Sequence, residues 1–212
     1  MHEALSRLPD GSTLDIARRE ASHLTVQGAN IGSRLPCLVG AQFDALAGCE
    51  HRLKGGIKFY GAYPGGFLHR ARALLGVQLD DAVLHVCSGM VRAYPYDGVG
   101  PNDRTLDLDP ATQPDIVADA RDPYPQGFRA VLADPPYSKG DAARYLPGAA
   151  TYPSPRLIVR RAFEALPVGS RIGMLHIEMP RPPKPAHLVA AVTVLVGYDN
   201  VARLFTVYQK IS

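Results

Sequence analysis

Cysteine is scarce in this chain: three among 212 residues, an odd number. That count excludes a disulfide framework and fits a reducing, cytoplasmic compartment. No run approaches the ~20 consecutive apolar residues that cross a bilayer, so no membrane partner is expected. The opening residues, Met1-His2-Glu3-Ala4-Leu5-Ser6-Arg7, lack a signal-peptide hydrophobic segment, so no secretory leader is expected. Internal repeats and low-complexity tracts are absent. Strong charge is missing too: the formal net charge of +3 permits a polyanionic partner without demanding one. Cys37, Cys49 and His51 contain no close cysteine pair, which excludes a zinc finger and leaves reduced, packed cysteines and no metal.

What is present is a full core. Hydrophobic residues make up 46% of the chain. Its length suits one domain by the guide of ~100–200 residues each. Nineteen prolines stiffen the loops. The chain is organised around Ala130-Val131-Leu132-Ala133-Asp134-Pro135-Pro136-Tyr137-Ser138. The apolar run reads as a buried strand. The prolines lie outside it, because they cannot donate to a sheet ladder. Asp134 and Tyr137 therefore sit on a rigid loop at a strand's carboxyl end, where open α/β sheets bind ligands.

Asp134-Pro135-Pro136-Tyr137 resembles the signature of amino methyltransferases that use S-adenosylmethionine, mostly on the exocyclic nitrogen of adenine or cytosine. The resemblance covers roughly residues 55–212. It implies a Rossmann-like class I methyltransferase: an α/β fold with a mostly parallel sheet ending in an antiparallel β-hairpin. Residues 1–54 are read as an N-terminal helical extension packed on this catalytic domain. The chemistry suits the residue types. A ring-delocalised amine must pyramidalise to attack a methyl sulfonium. Asp134 and the Pro135 carbonyl can each accept one of its N–H bonds, and the prolines aim that carbonyl beforehand. Tyr137 offers a stacking face, worth roughly 1–3 kcal/mol per base.

The flanking chain fits that family. Ala82-Val83-Leu84-His85-Val86 reads as the first core strand, and Cys87-Ser88-Gly89-Met90 as the cofactor turn. His85 stands where the family has an acid, and only one of the usual glycines remains. Thr105-Leu106-Asp107-Leu108-Asp109 reads as the second strand, its terminal acid placed for the ribose diol. Asp107 is the first choice and Asp109 the second. Asp119 with the adjoining Ala120, after a short third strand, matches the place that receives the cofactor's adenine. Tyr63, in an aromatic-proline segment, matches one that lines the cofactor site. Ser138, Lys139, Arg181 and Lys184 are candidate substrate contacts.

Elsewhere, helices are expected over 13–24, 38–46, 67–75 and 155–166. Ser154 should cap the last of these, whose Arg156, Arg160 and Arg161 form a solvated face. The connection 92–104 is too rich in proline and glycine for a crossover helix. Residues 139–155 read as a loop over the substrate, 171–178 as a strand, and 189–196 with 201–209 as a hairpin. The resemblance thus implies S-adenosylmethionine as cofactor and nucleic acid as partner, DNA adenine N6 being favoured over RNA. A small modified nucleoside and a non-catalytic cofactor-binding regulatory module remain alternatives, and a dimer is left open.

Overall fold

The computed structural model describes residues 24–29, 37–43, 63, 66–93, 98–145, 152–195 and 201–212. In chain order the strands are β1 (Leu24–Ala29), β2 (Cys37–Phe43), β3 (Val83–Val86), β4 (Arg104–Asp107) and β5 (Ile116–Val117). Then come β6 (Ala130–Ala133), β7 (Arg171–His176), β8 (Ala186–Leu195) and β9 (Arg203–Lys210). The helices are α1 (Phe67–Leu75), α2 (Lys139–Tyr145) and α3 (Pro155–Ala165).

All the described strands join one sheet in the order β1-β2-β8-β9-β7-β6-β3-β4-β5. From β5 to β7 every pairing is parallel. β9 then runs antiparallel to both β7 and β8, the terminal hairpin expected from the sequence. The helical extension expected before residue 55 is corrected here. Over its described part the segment 38–46 is strand β2, parallel to β8, and β1 pairs antiparallel outside it. The sheet edge beside β8 overrode the helical spacing of a short apolar run, which periodicity alone cannot assign. The helix expected over 13–24 lies outside the described residues except Leu24, which opens β1. Cys49, His51 and the hairpin turn at 197–200 also lie outside them.

Alternation along the strands sends side chains to two apolar layers. Val83, Leu132, Leu175, Phe205 and Val207 pack with Phe67, Leu68, Ala71 and Leu75 of α1. Leu84, Val86, Val131, Ile172, Met174 and Tyr208 pack with Ile158, Val159, Ala162 and Phe163 of α3. Ser154 caps α3, its hydroxyl accepting from the Leu157 N–H at 3.3 Å, with Pro155 at the first turn as predicted. Arg160 and Arg161 pair with Glu164 on the helix itself, so this face is largely solvated. Gly173 in β7 permits the closest contact in the sheet centre. A Cβ there would lie 2.6 Å from the Phe205 ring. Gly173→Ala is expected to cost about 1–3 kcal/mol through overpacking, measured by chemical denaturation.

Among the described residues, the connections after β3, β4, β5 and β7 carry no α-helix of the kind usual in doubly wound sheets. After β3 the described chain makes a single 3₁₀ turn, Val91–Ala93, and residues 98–103 are irregular, as expected from the prolines and glycines. After β7, residues 177–185 cross the sheet without a helix. The Pro180 carbonyl accepts from Tyr208, and Ala186 emerges opposite Lys210 at the strands' amino edge. The loop expected over 139–155 is corrected in part, since it begins with α2. Ser138 nucleates that helix: its hydroxyl accepts from the Asp141 N–H at 3.0 Å and donates to the Asp141 carboxylate at 2.8 Å.

Candidate active site

The carboxyl ends of β3, β4, β5 and β6 carry the acids singled out in the sequence. Asp134 follows β6 directly, its N–H still laddered to the Val86 carbonyl at 3.3 Å. The Tyr137 hydroxyl donates to Asp134 Oδ1 at 2.9 Å, so acid and aromatic form one unit. Burial pushes the Asp134 carboxyl up to about 7, against the Arg203 charge and the Tyr137 hydrogen bond, which both hold it down. Pro135 is buried and Pro136 half-buried, so the loop backbone is fixed by packing as well as by its rings.

A second layer holds this loop in place. His176, the last residue of β7, is fully buried, and its ring meets the Tyr137 ring edge-on at 5.3 Å. His176 Nδ1 accepts the Glu178 N–H at 3.0 Å, which assigns the proton to Nε2. That Nε2–H faces the Tyr152 hydroxyl at 3.1 Å, and Tyr152 in turn donates to the Tyr137 carbonyl at 3.2 Å. Burial pushes the His176 imidazole down, which keeps it neutral and this polarity intact. Tyr152→Phe removes both bonds and is expected to cost about 1–3 kcal/mol of unfolding free energy, read by denaturant titration. Arg203 completes the layer, its guanidinium carbon 5.5 Å from the Tyr137 ring centroid. Sequence reasoning missed all three residues. The hairpin did carry a signal for Arg203, because a strand antiparallel to β7 begins where β7 ends.

The turn after β3, the expected cofactor turn, is built from unusual backbone. Cys87 and Gly89 both have positive φ, 54° and 49°. The Gly89 N–H donates to Asp107 Oδ2 at 2.8 Å, which ties the turn to the end of β4. Asp107 Oδ1 accepts the Asp109 N–H at 3.0 Å. The Asp109 side chain instead accepts from Ala111 at 2.9 Å, capping its own 3₁₀ turn. The structure therefore separates the two candidates and brings only Asp107 to the turn. Asp119 lies past β5, its two oxygens bridged by the Arg121 guanidinium at 2.9 and 2.7 Å. Ala120 is buried, its carbonyl accepting from Tyr124 at 2.8 Å. Burial pushes the Cys87 thiol up, with Asp107, Asp134 and Asp119 adding to the shift. Asp107 thus contacts the turn while Asp134 and Asp119 act on it through their charge, and a Cβ built at Gly89 meets nothing within 4 Å. A cationic ligand lying over that glycine fits this donor set.

Other candidates are placed elsewhere. His85 turns away from the site. It is buried with Nε2 3.0 Å from Asp103 Oδ2, a core histidine rather than a replacement for the family's acid. Tyr63 lies in the apolar layer beneath α1, its ring stacked on Phe67 at 4.9 Å. Ser138 caps α2, and Lys139 is exposed at its start. Arg181 is exposed on the strap after β7. Lys184 is not at the edge that carries Asp134. It closes that strap beside Pro185, whose carbonyl meets Ile211 beyond β9 at the opposite end of the sheet. Among the described residues no cluster could hold a metal ion, and no helix is long and apolar enough to cross a membrane.

No family model and no curated protein matches the sequence. Solved structures do match the fold. TrmN from Thermus thermophilus shares 19% identity at a TM-score of 0.51, over 68% of this chain and 48% of that one. The chain thus spans about half the length of TrmN. PH1948 from Pyrococcus horikoshii, described as an RNA methyltransferase, shares 12% identity at a TM-score of 0.50, over 76% of this chain and 91% of its own. With seven strands from β8 to β5 in methyltransferase order and an antiparallel terminal pair, the chain has the Rossmann-like class I methyltransferase fold.

Proposed function

We propose that the protein is an S-adenosylmethionine-dependent N-methyltransferase acting on the exocyclic amine of a nucleobase. One observation carries the reading: a rigid acid-proline-proline-tyrosine corner, hydrogen-bonded to itself, at the same sheet edge as a strand-end turn tied to Asp107. The backbone of Cys87, Ser88 and Gly89, with Asp107 and Asp119, would hold the cofactor. When bound, it supplies a methyl group on a sulfonium. The chain does the rest. Asp134 and the Pro135 carbonyl accept the two amine hydrogens and turn the nitrogen lone pair out of the ring plane. Tyr137 bears on the flat base. Holding amine and methyl carbon together contributes much of the rate. No strong base is required, because methylation acidifies the amine.

The catalytic unit in this reading is 55–212, with β1 and β2 extending its sheet. The polymer we favour is RNA, an unpaired base being reached without opening a duplex. The likeness to PH1948 supports this choice. Adenine N6 in DNA, with the base flipped out, is the second reading, and the Asp134–Tyr137 motif supports it. Lys139 and Arg181 are the proposed backbone contacts.

Labelled cofactor, incubated with separate pools of RNA, DNA and nucleosides, tests the substrate. Label in RNA is expected, and label in DNA alone would sink the RNA choice. Calorimetry tests the cofactor, and an absence of binding would end the whole reading.

A further inference from the structure

We infer that Arg203 is a positioning residue, a cation clamped on the Tyr137 ring that holds the Asp134–Tyr137 pair in its acceptor state before substrate arrives. The inference rests on the proposed role of Asp134 as amine acceptor and adds a residue that no motif contains.

Topology puts Arg203 there. β9 is antiparallel to β7, and Leu204 pairs with His176, the last residue of β7. Arg203 therefore stands one residue beyond that strand end, at the edge where the parallel strands present Asp134 and its loop. Its backbone is anchored on the other side by pairing with Val194 of β8.

Among the described residues the side chain has no competing engagement. Arg203 forms no ion pair or side-chain hydrogen bond among the described residues, and its buried Nη1 has no partner there. Its described contact is the Tyr137 ring, with the guanidinium carbon 5.5 Å from the centroid. A cation over an aromatic face is attracted to the ring quadrupole. It also draws density from the phenol, which makes the hydroxyl a better donor. That hydroxyl donates to Asp134 Oδ1 at 2.9 Å. Cation, ring and carboxylate are thus coupled in series.

The charges facing Asp134 come from four elements. Cys87 faces it from the turn after β3, Tyr137 from its own loop, Tyr145 from α2 and Arg203 from β9. Only Arg203 among these carries positive charge, and with the Tyr137 hydrogen bond it opposes the burial that favours the protonated acid. A protonated Asp134 has lost acceptor capacity at the atom the amine needs. Removing the cation is therefore expected to neutralise the acceptor at neutral pH.

The test uses the full chain, labelled at the aspartate side-chain carboxyl carbon, with the Asp134 resonance assigned by its loss in Asp134→Asn. The parent, Arg203→Lys and Arg203→Gln are titrated without cofactor or substrate, and each variant's fold is checked by its thermal midpoint. Arg203→Gln is expected to move the Asp134 midpoint up by about one unit, while Arg203→Lys, which keeps the charge, stays near the parent. In transfer assays the acid limb of the pH profile should move with it, at unchanged cofactor affinity. An unmoved Asp134 midpoint in Arg203→Gln would overturn the inference. A loss confined to polynucleotide KM and its salt dependence would overturn it too, making Arg203 a phosphate contact instead. Because the titration needs no substrate, its result is separable from a failure to find methyl transfer.

Discussion

Asp134→Ala is expected to leave cofactor binding in place and to lower methyl transfer by roughly 10²–10³-fold, the usual effect of deleting one preorganised hydrogen-bonding group. In the proposed mechanism the carboxylate acts on the amine, while the cofactor would be held at the turn that Gly89 ties to Asp107. Calorimetry on the variant therefore checks the fold of the cleft, and single-turnover transfer checks the chemistry. A variant that kept its transfer rate would remove Asp134 from the mechanism. The same residue sets a pH dependence. Burial raises its carboxyl to about 7, and the ionised form is the acceptor. Transfer is expected to climb as pH rises through about 7 and then level off. Stability takes the opposite sign. The folded value lies above the ordinary 3.8, so the fold binds this proton more tightly than the unfolded chain does. The group's contribution to stability is fully present below about pH 4 and is lost as pH approaches 7.

Asp103→Ala is the substitution expected to cost most in stability. Its carboxylate is fully buried and accepts from Arg72, His85 and the Val83 and Gly100 N–H groups. Arg72 also donates to the Gly98 carbonyl at 2.9 Å and the Gln78 carbonyl at 2.6 Å. One acid thereby joins α1, the start of β3 and the irregular crossover that has no helix to anchor it. Burial alone would raise the Asp103 carboxyl, but the hydrogen bonds from His85 and Arg72 outweigh it and hold the group below its ordinary range. Removing the acid strands a buried guanidinium. Breaking a buried pair in this way costs about 3–5 kcal/mol. For a chain of this size that lowers the melting midpoint by roughly 6–20 °C, measurable by calorimetric scan. The depressed value also means that this contribution is present above about pH 4 and is lost as acid titrates the group.

The residues legible in the sequence were those whose local chemistry leaves no choice. Prolines after an apolar run could only end a strand, so Asp134 was placed at once. Pro95, Gly98, Gly100 and Pro101 ruled out a crossover helix. Asp107 and Asp119 were placed because each acid follows a short strand. What escaped was set by partners distant in sequence. β2 is a strand because β8 offers it an edge, and nothing within 38–46 says so. Lys184 sits on the side away from the catalytic loop because its strap crosses the sheet, a path that composition cannot trace. His176, Tyr152 and Arg203 surround Tyr137 from three separate segments, and no spacing rule joins residues 137, 152, 176 and 203. His85 looked like a departure from the family until Asp103, eighteen residues away, accounted for it.

The position of β9 has a consequence for synthesis on the ribosome. It lies in the middle of the sheet, yet it follows all the other described strands in sequence. Until residues 203–210 emerge, β7 and β8 each expose an unpaired strand edge to any other nascent chain. Tyr137 lacks its cation for the same interval. The proposed catalytic corner and the pairing that closes β7 and β8 are thus completed by the same eight residues.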